Sequence, residues 1–174
     1  MSVASMIDTD VAFLDRLRRL TRQEKACLRR FAGKGPWSPD VLSVVAPYLP
    51  NSEGSQRDFQ LVRLSVVATL YACHDKLGGR ATVGAAMARL AVKSESVAER
   101  LMRQVLSTDT VDGLGRGPLL RIVKALSTAA IPLDWSRLLR DMSEWQEPRK
   151  KPQQQWAKDF WGARRGGQGE QKSD

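Results

Sequence analysis

The chain carries a single histidine and two cysteines, and little else from which an active site is usually built. His74 lies between Cys73 and Asp75, and three consecutive residues on a helix point apart, so they make neither an acid–base constellation nor a metal site. Two glycine-rich stretches, GGRATVG and GLGRG, lack the preceding strand and the lysine–hydroxyl pair of a phosphate-cradling loop. No catalytic residue, metal or cofactor is therefore expected. The longest apolar run, LVRLSVVATLYAC, contains Arg63 and is too short to span a bilayer. The opening residues MSVASMIDTD have no basic-then-apolar design, so a signal peptide is not expected. Cys27 and Cys73 fall inside apolar helical patterns, as small reduced core residues do, which points to the cytoplasm. Alternating strand patterns are missing as well.

Positive charge is what the sequence has in excess. The formal net charge of the 174 residues is +9, which asks for a polyanionic partner. The excess sits toward both ends: residues 1–33 carry net +3 and residues 148–174 net +4. Apolar residues recur at three and four throughout, which predicts an all-α helical bundle of about eight or nine helices in two packed lobes. The expected division is 1–80, 81–161 and a basic tail, 162–174, too poor in apolar groups to order itself. Residues 77–84 are the expected hinge between the lobes. Thr21 with Glu24, and Ser96 with Glu99, have capping-box spacing. Ser38 followed by Pro39 reads as another helix start. A long buried helix is expected from Arg57 to about Lys76, and a break at DGLGRGP (112–118). Near the C-terminus, WSRLLRDMSEW turns Trp135, Leu138, Leu139, Met142 and Trp145 inward, and QQQWAKDFW forms a last helix.

The stretch LTRQEKACLRRF (20–31) bears most directly on function. On a helix, Arg22, Lys25 and Arg29 share about 60° of arc, and Arg18 joins them if the preceding helix continues in register. Arginine's planar fork suits phosphate oxygens. The same stretch resembles the first helix of a LuxR-type helix-turn-helix, so a double-stranded DNA-binding transcription regulator is the alternative reading. That reading needs a polar recognition helix next, and SPDVLSVVAPYL offers valine and alanine with nothing to pair with base edges. A phosphate-contacting face remains.

The run IPLDWSRLLRDMSEWQEPRKKPQQQWAKDFW (131–161) resembles the ending of the CasB family, the small subunit of the type I-E CRISPR effector complex, Cascade. LRRLTRQEKACLRR, VGAAMARLA, AERLMRQVL and LLRIVKAL agree with that family in order. One departure is the glycine-rich 112–118, where family members are expected to continue a helix. The resemblance implies a non-catalytic all-α subunit, present as a pair of copies among other Cascade subunits. It implies contact with guide RNA and target DNA, and stabilisation of the R-loop by holding the displaced non-target strand. No membrane partner is implied. Base pairing reads the target, so such a subunit need supply only basic surface and shape. The residues that carry this role by resemblance are Arg29, Arg30, Arg57, Arg100, Arg121, Arg149, Lys150 and Lys151. Arg22 and Lys25 complete the set, each contacting backbone phosphate and not bases.

Overall fold

The computed structural model describes residues 3–51, 53–74 and 79–167. It is all-helical: α1 Val3–Arg18, α2 Arg22–Phe31, α3 Pro39–Val45, α4 Ser55–Cys73, α5 Val83–Ala91, α6 Glu95–Leu106, α7 Val111–Arg116, α8 Pro118–Thr128, α9 Trp135–Ser143 and α10 Lys151–Gly167. A 3-10 turn, Ala46–Tyr48, follows α3. No strand occurs among the described residues.

α4 is the central helix. Its residues from Gln60 to Ala72 are buried on nearly every side, and α2, α3, α7, α8 and α9 all pack against it. A helix apolar all round belongs in this position. The charged exception in its buried stretch is Arg63, which is 0% exposed. Four of its five guanidinium N–H groups are paired: Nε donates to Gln60 Oε1 at 2.9 Å, Nη1 to Asp10 Oδ2 at 2.9 Å and to the Leu139 carbonyl at 3.0 Å, and Nη2 to Asp10 Oδ1. One side chain thereby joins α1, α4 and α9. A buried charge is tolerable only with an ion-pair partner and hydrogen bonds of this kind. At the C-terminal end of α4, buried His74 donates from Nε2 to the Ile131 carbonyl at 2.7 Å, a structural role.

The described residues form ten α-helices, close to the eight or nine expected, and the glycine-rich segment supplies the additional one. VDGLGR is helical, capped by Thr110, whose hydroxyl accepts from the Gly113 N–H at 3.1 Å. The break comes only at Gly117, before Pro118 opens α8. Gly115 is needed for contact: a Cβ there would stand 2.5 Å from Val66 Cγ2 of α4. Glycine therefore lets the two helices touch, which outweighs its poor helix propensity.

Other boundaries shift for local reasons. Thr21 and Glu24 form the complete capping box. The second expected box does not form, because α6 starts two residues earlier behind Ser94 and leaves Ser96 inside the helix. α3 begins at Pro39, but the Ser38 hydroxyl makes no capping bond. α4 starts at Ser55 and ends at Cys73, and Asp75 to Lys76 lie outside the described residues. α10 continues to Gly167, into the segment expected as tail. Alanine and arginine there favour helix, so a helix already anchored upstream can propagate. Residues 168–174 lie outside the described set.

The tryptophan-rich ending is architectural. Asp134 caps α9 by accepting from the Arg137 N–H at 2.9 Å. Trp145 donates to the Thr108 carbonyl at 2.8 Å and packs against Trp156 with centroids 4.8 Å apart. Trp156 donates to Asp141 Oδ2 at 2.7 Å. Asp159 accepts from the Thr82 hydroxyl at 2.6 Å, tying α10 to the start of α5. Trp135, Leu138, Leu139, Met142 and Trp145 are all buried.

Candidate nucleic-acid interface

The capping box of α2 decides which charges of that helix remain available. Glu24 accepts from the Thr21 N–H and forms an ion pair with Arg16 of α1. The Arg16 hydrogen bond, reinforced by the Thr21 backbone, holds the Glu24 carboxyl down at about 2. The one acid of the helix is thus neutralised from α1. Arg18 does not extend the basic stripe, because the chain turns between α1 and α2 and Arg18 pairs with Asp15 at 2.7 Å.

Arg22, Arg29 and Arg30 are exposed on α2, and among the described residues no ion pair engages them. Lys25, half-buried, lies over the Tyr71 ring of α4 at 5.9 Å. Arg29 Nε donates to the Lys25 carbonyl at 3.3 Å, holding the guanidinium along the helix. Burial pushes the Cys73 thiol up, and the charges of Lys124 and Arg29 oppose that shift, so both lie within electrostatic reach of the end of α4. Lys124 is one turn beyond Arg121 on α8, and both are exposed. The Arg121 guanidinium folds back toward Gly117, 3.9 Å from where a Cβ there would stand. Lys25, Arg29 and Lys124 therefore lie about the C-terminal end of α4 as a basic strip drawn from α2 and α8, with Arg121 one turn back along α8. Lys124 escapes sequence reasoning because only the fold packs α2 and α8 against the same helix, α4.

The other expected residues lie elsewhere. Arg57 is exposed near the start of α4, about 24 Å along the helix axis from Cys73. Arg149 and Lys151 are exposed at the turn into α10. Lys150 between them pairs with Asp109 at 2.9 Å, an open surface bridge. Arg100 is exposed on α6; Glu99, its neighbour, pairs instead with Arg103, which also lies 5.8 Å over the Trp161 ring. A second basic area surrounds an open groove between α9 and α10, lined by Arg137, Lys151 and Lys158 with Asp141 and Glu144. Among the described residues no group of three potential metal ligands occurs, and no helix is long and apolar enough to cross a membrane.

The described residues thus define an all-helical, basic molecule with exposed cations on α2 and α8 and an architectural C-terminus. A family-wide sequence model for CRISPR-associated protein Cse2 matches residues 24–161. The Cse2 protein of Thermus thermophilus is 31% identical over 161 residues, covering 87% of this chain and 89% of that one. The solved structure of CasB from M. ruber superposes with a TM-score of 0.74 at 25% identity, covering 92% and 96%. A chain of a CRISPR RNA-guided surveillance complex shares the fold, with a TM-score of 0.74 at 24% identity over 95% and 99%. The chain belongs to the Cse2 family, also called CasB.

Proposed function

We propose that this protein is the non-catalytic small subunit of a type I-E Cascade ribonucleoprotein, acting by binding nucleic-acid backbone to stabilise the R-loop. Its partners are the guide RNA, the target DNA with its displaced strand, the other Cascade subunits and a second copy of itself. The division into lobes at residue 80 belongs to the same proposal. Family membership supports the assembly, and a chain of a CRISPR RNA-guided surveillance complex has the same fold. The observation that carries the binding role is the pair Arg29 and Lys124 at the end of α4, with Arg121 one turn back on α8 and the one acid of α2, Glu24, already engaged by Arg16. Cations without acidic partners neutralise phosphates and leave sequence reading to base pairing. The duplex-regulator alternative finds no recognition helix: α3 buries Val41, Val44 and Val45.

A tagged pull-down from the native host tests the reading. Co-purifying Cascade subunits and short RNAs sharing one repeat-derived handle are expected. Recovery alone, or with RNA polymerase and no small RNA, overturns it.

A further inference from the structure

Four of the five tryptophans are built into the protein: Trp135, Trp145 and Trp156 are buried, and Trp161 packs against Phe160 and Arg103. Trp37 is the opposite, 76% exposed on the α2–α3 loop. Among the described residues no ring or cation covers it. A lone exposed apolar side chain is ordinary on a protein surface, so its setting has to carry the argument.

That setting is a fixed loop. Gly33 and Gly35 adopt φ +81° and +90°, a left-handed turn that other residues rarely take. Pro36 and Ser38, on either side of Trp37, are buried. The backbone is therefore anchored on both sides while the indole is held out to water, and its ordering cost is already met by the fold. The loop also rests on the α7–α8 junction. A Cβ at Gly33 would stand 3.1 Å from Leu120 Cδ2, and one at Gly35 would stand 3.0 Å from Arg116 Nη2. Exposed Lys34 in the loop and exposed Arg116 beside Gly35 put positive charge next to it, and Arg121 stands further on, beyond Gly117. The nearby acids are Asp112, paired with Arg116 at 2.6 Å, and Asp40 of α3.

We propose that Trp37 is a base-stacking residue for single-stranded nucleic acid, its indole taking one unpaired base while Lys34, Arg116 and Arg121 hold the flanking phosphates. The inference rests on the backbone-binding reading above and gives it a contact for an unpaired strand. Every base has a π-face, so such a contact is indifferent to sequence, and a duplex, whose bases are already stacked, cannot make it.

The test uses the full chain with fluorescein-labelled oligothymidylate and, separately, a random duplex, read by anisotropy and by quenching of tryptophan emission. Wild type, Trp37→Ala, Trp37→Phe and Arg121→Ala are compared after circular dichroism shows equal folding. Stacking predicts that Trp37→Ala weakens single-strand binding about 5- to 150-fold. Duplex binding should stay within about twofold, Trp37→Phe should keep most of the affinity, and oligothymidylate should quench an emission component that Trp37→Phe lacks. Weakening by Arg121→Ala with no effect of Trp37→Ala overturns stacking and leaves the backbone reading intact. Equal loss on duplex and single strand also overturns stacking, as does a change of sedimentation in Trp37→Ala, which marks a protein contact. Failure of wild type to bind either probe overturns both readings.

Discussion

Two carboxylates in this molecule are displaced in opposite directions, and the difference lies in what surrounds each. Glu24, at the surface, is held down to about 2 by the Arg16 hydrogen bond and the Thr21 backbone. A carboxyl whose folded pKa lies below its unfolded value contributes stability above the unfolded value and loses it as pH falls through the folded one. The stability gap between wild type and Glu24→Gln should therefore be constant from pH 7 to about 5.5 and close between about 4.5 and 2, as thermal melts across that range would show. Asp141 is pushed up by burial, opposed by the Trp156 N–H and by Arg137. Its main task is to accept the indole hydrogen. Asp141→Asn keeps an acceptor and should fold nearly as well as wild type. Asp141→Ala leaves a buried N–H unpaired and should cost about 1–3 kcal/mol in denaturant unfolding.

Helices meet here where side chains are removed. A Cβ at Gly84 of α5 would collide with the Trp156 backbone of α10, so these helices cross at the glycine. Gly84→Ala forces backbone from backbone and should destabilise by about 3 kcal/mol or more, whereas Gly54→Ala meets no atom within 4 Å and answers only for its φ of +112°. Unfolding midpoints of the two variants separate those costs. These crossings explain how legible the elements are in the sequence. The Thr21–Glu24 box and the inward face of α9 are local patterns, and they are where the pattern puts them. Gly115 reads locally as a breaker, because its justification, Val66, lies far away in the chain. The same limit hides Trp37: five tryptophans look alike as letters, and only packing shows which one is left outside.

For the whole molecule, the basic strip makes binding a matter of salt. Log affinity of the free protein should fall with log salt by about 0.7 per phosphate neutralised on a single strand and about 0.9 on a duplex. Arg29→Ala combined with Arg121→Ala should flatten the single-strand slope by about 1.4 with no loss of fold. A slope unchanged by the double variant places the contacts elsewhere, with Arg149 and Lys151 next to be tested. Sequence charge locates the α2 half of this strip and the resemblance adds Arg121, but Lys124 becomes visible only when α2 and α8 are both packed on α4.

The Arg63 junction bears on how the chain is made. Its Asp10 partner precedes it on the ribosome, but the Leu139 carbonyl follows 76 residues later. At ordinary rates of synthesis that interval is about 4–15 s. Throughout it α4 lacks a complete α9, and for most of it α7 and α8 as well, with its guanidinium incompletely met and its apolar sides still to be covered. The nascent protein therefore has no stable halfway product, and release of a chain cut short at residue 80 should yield a client for chaperones and proteases, not a working lobe.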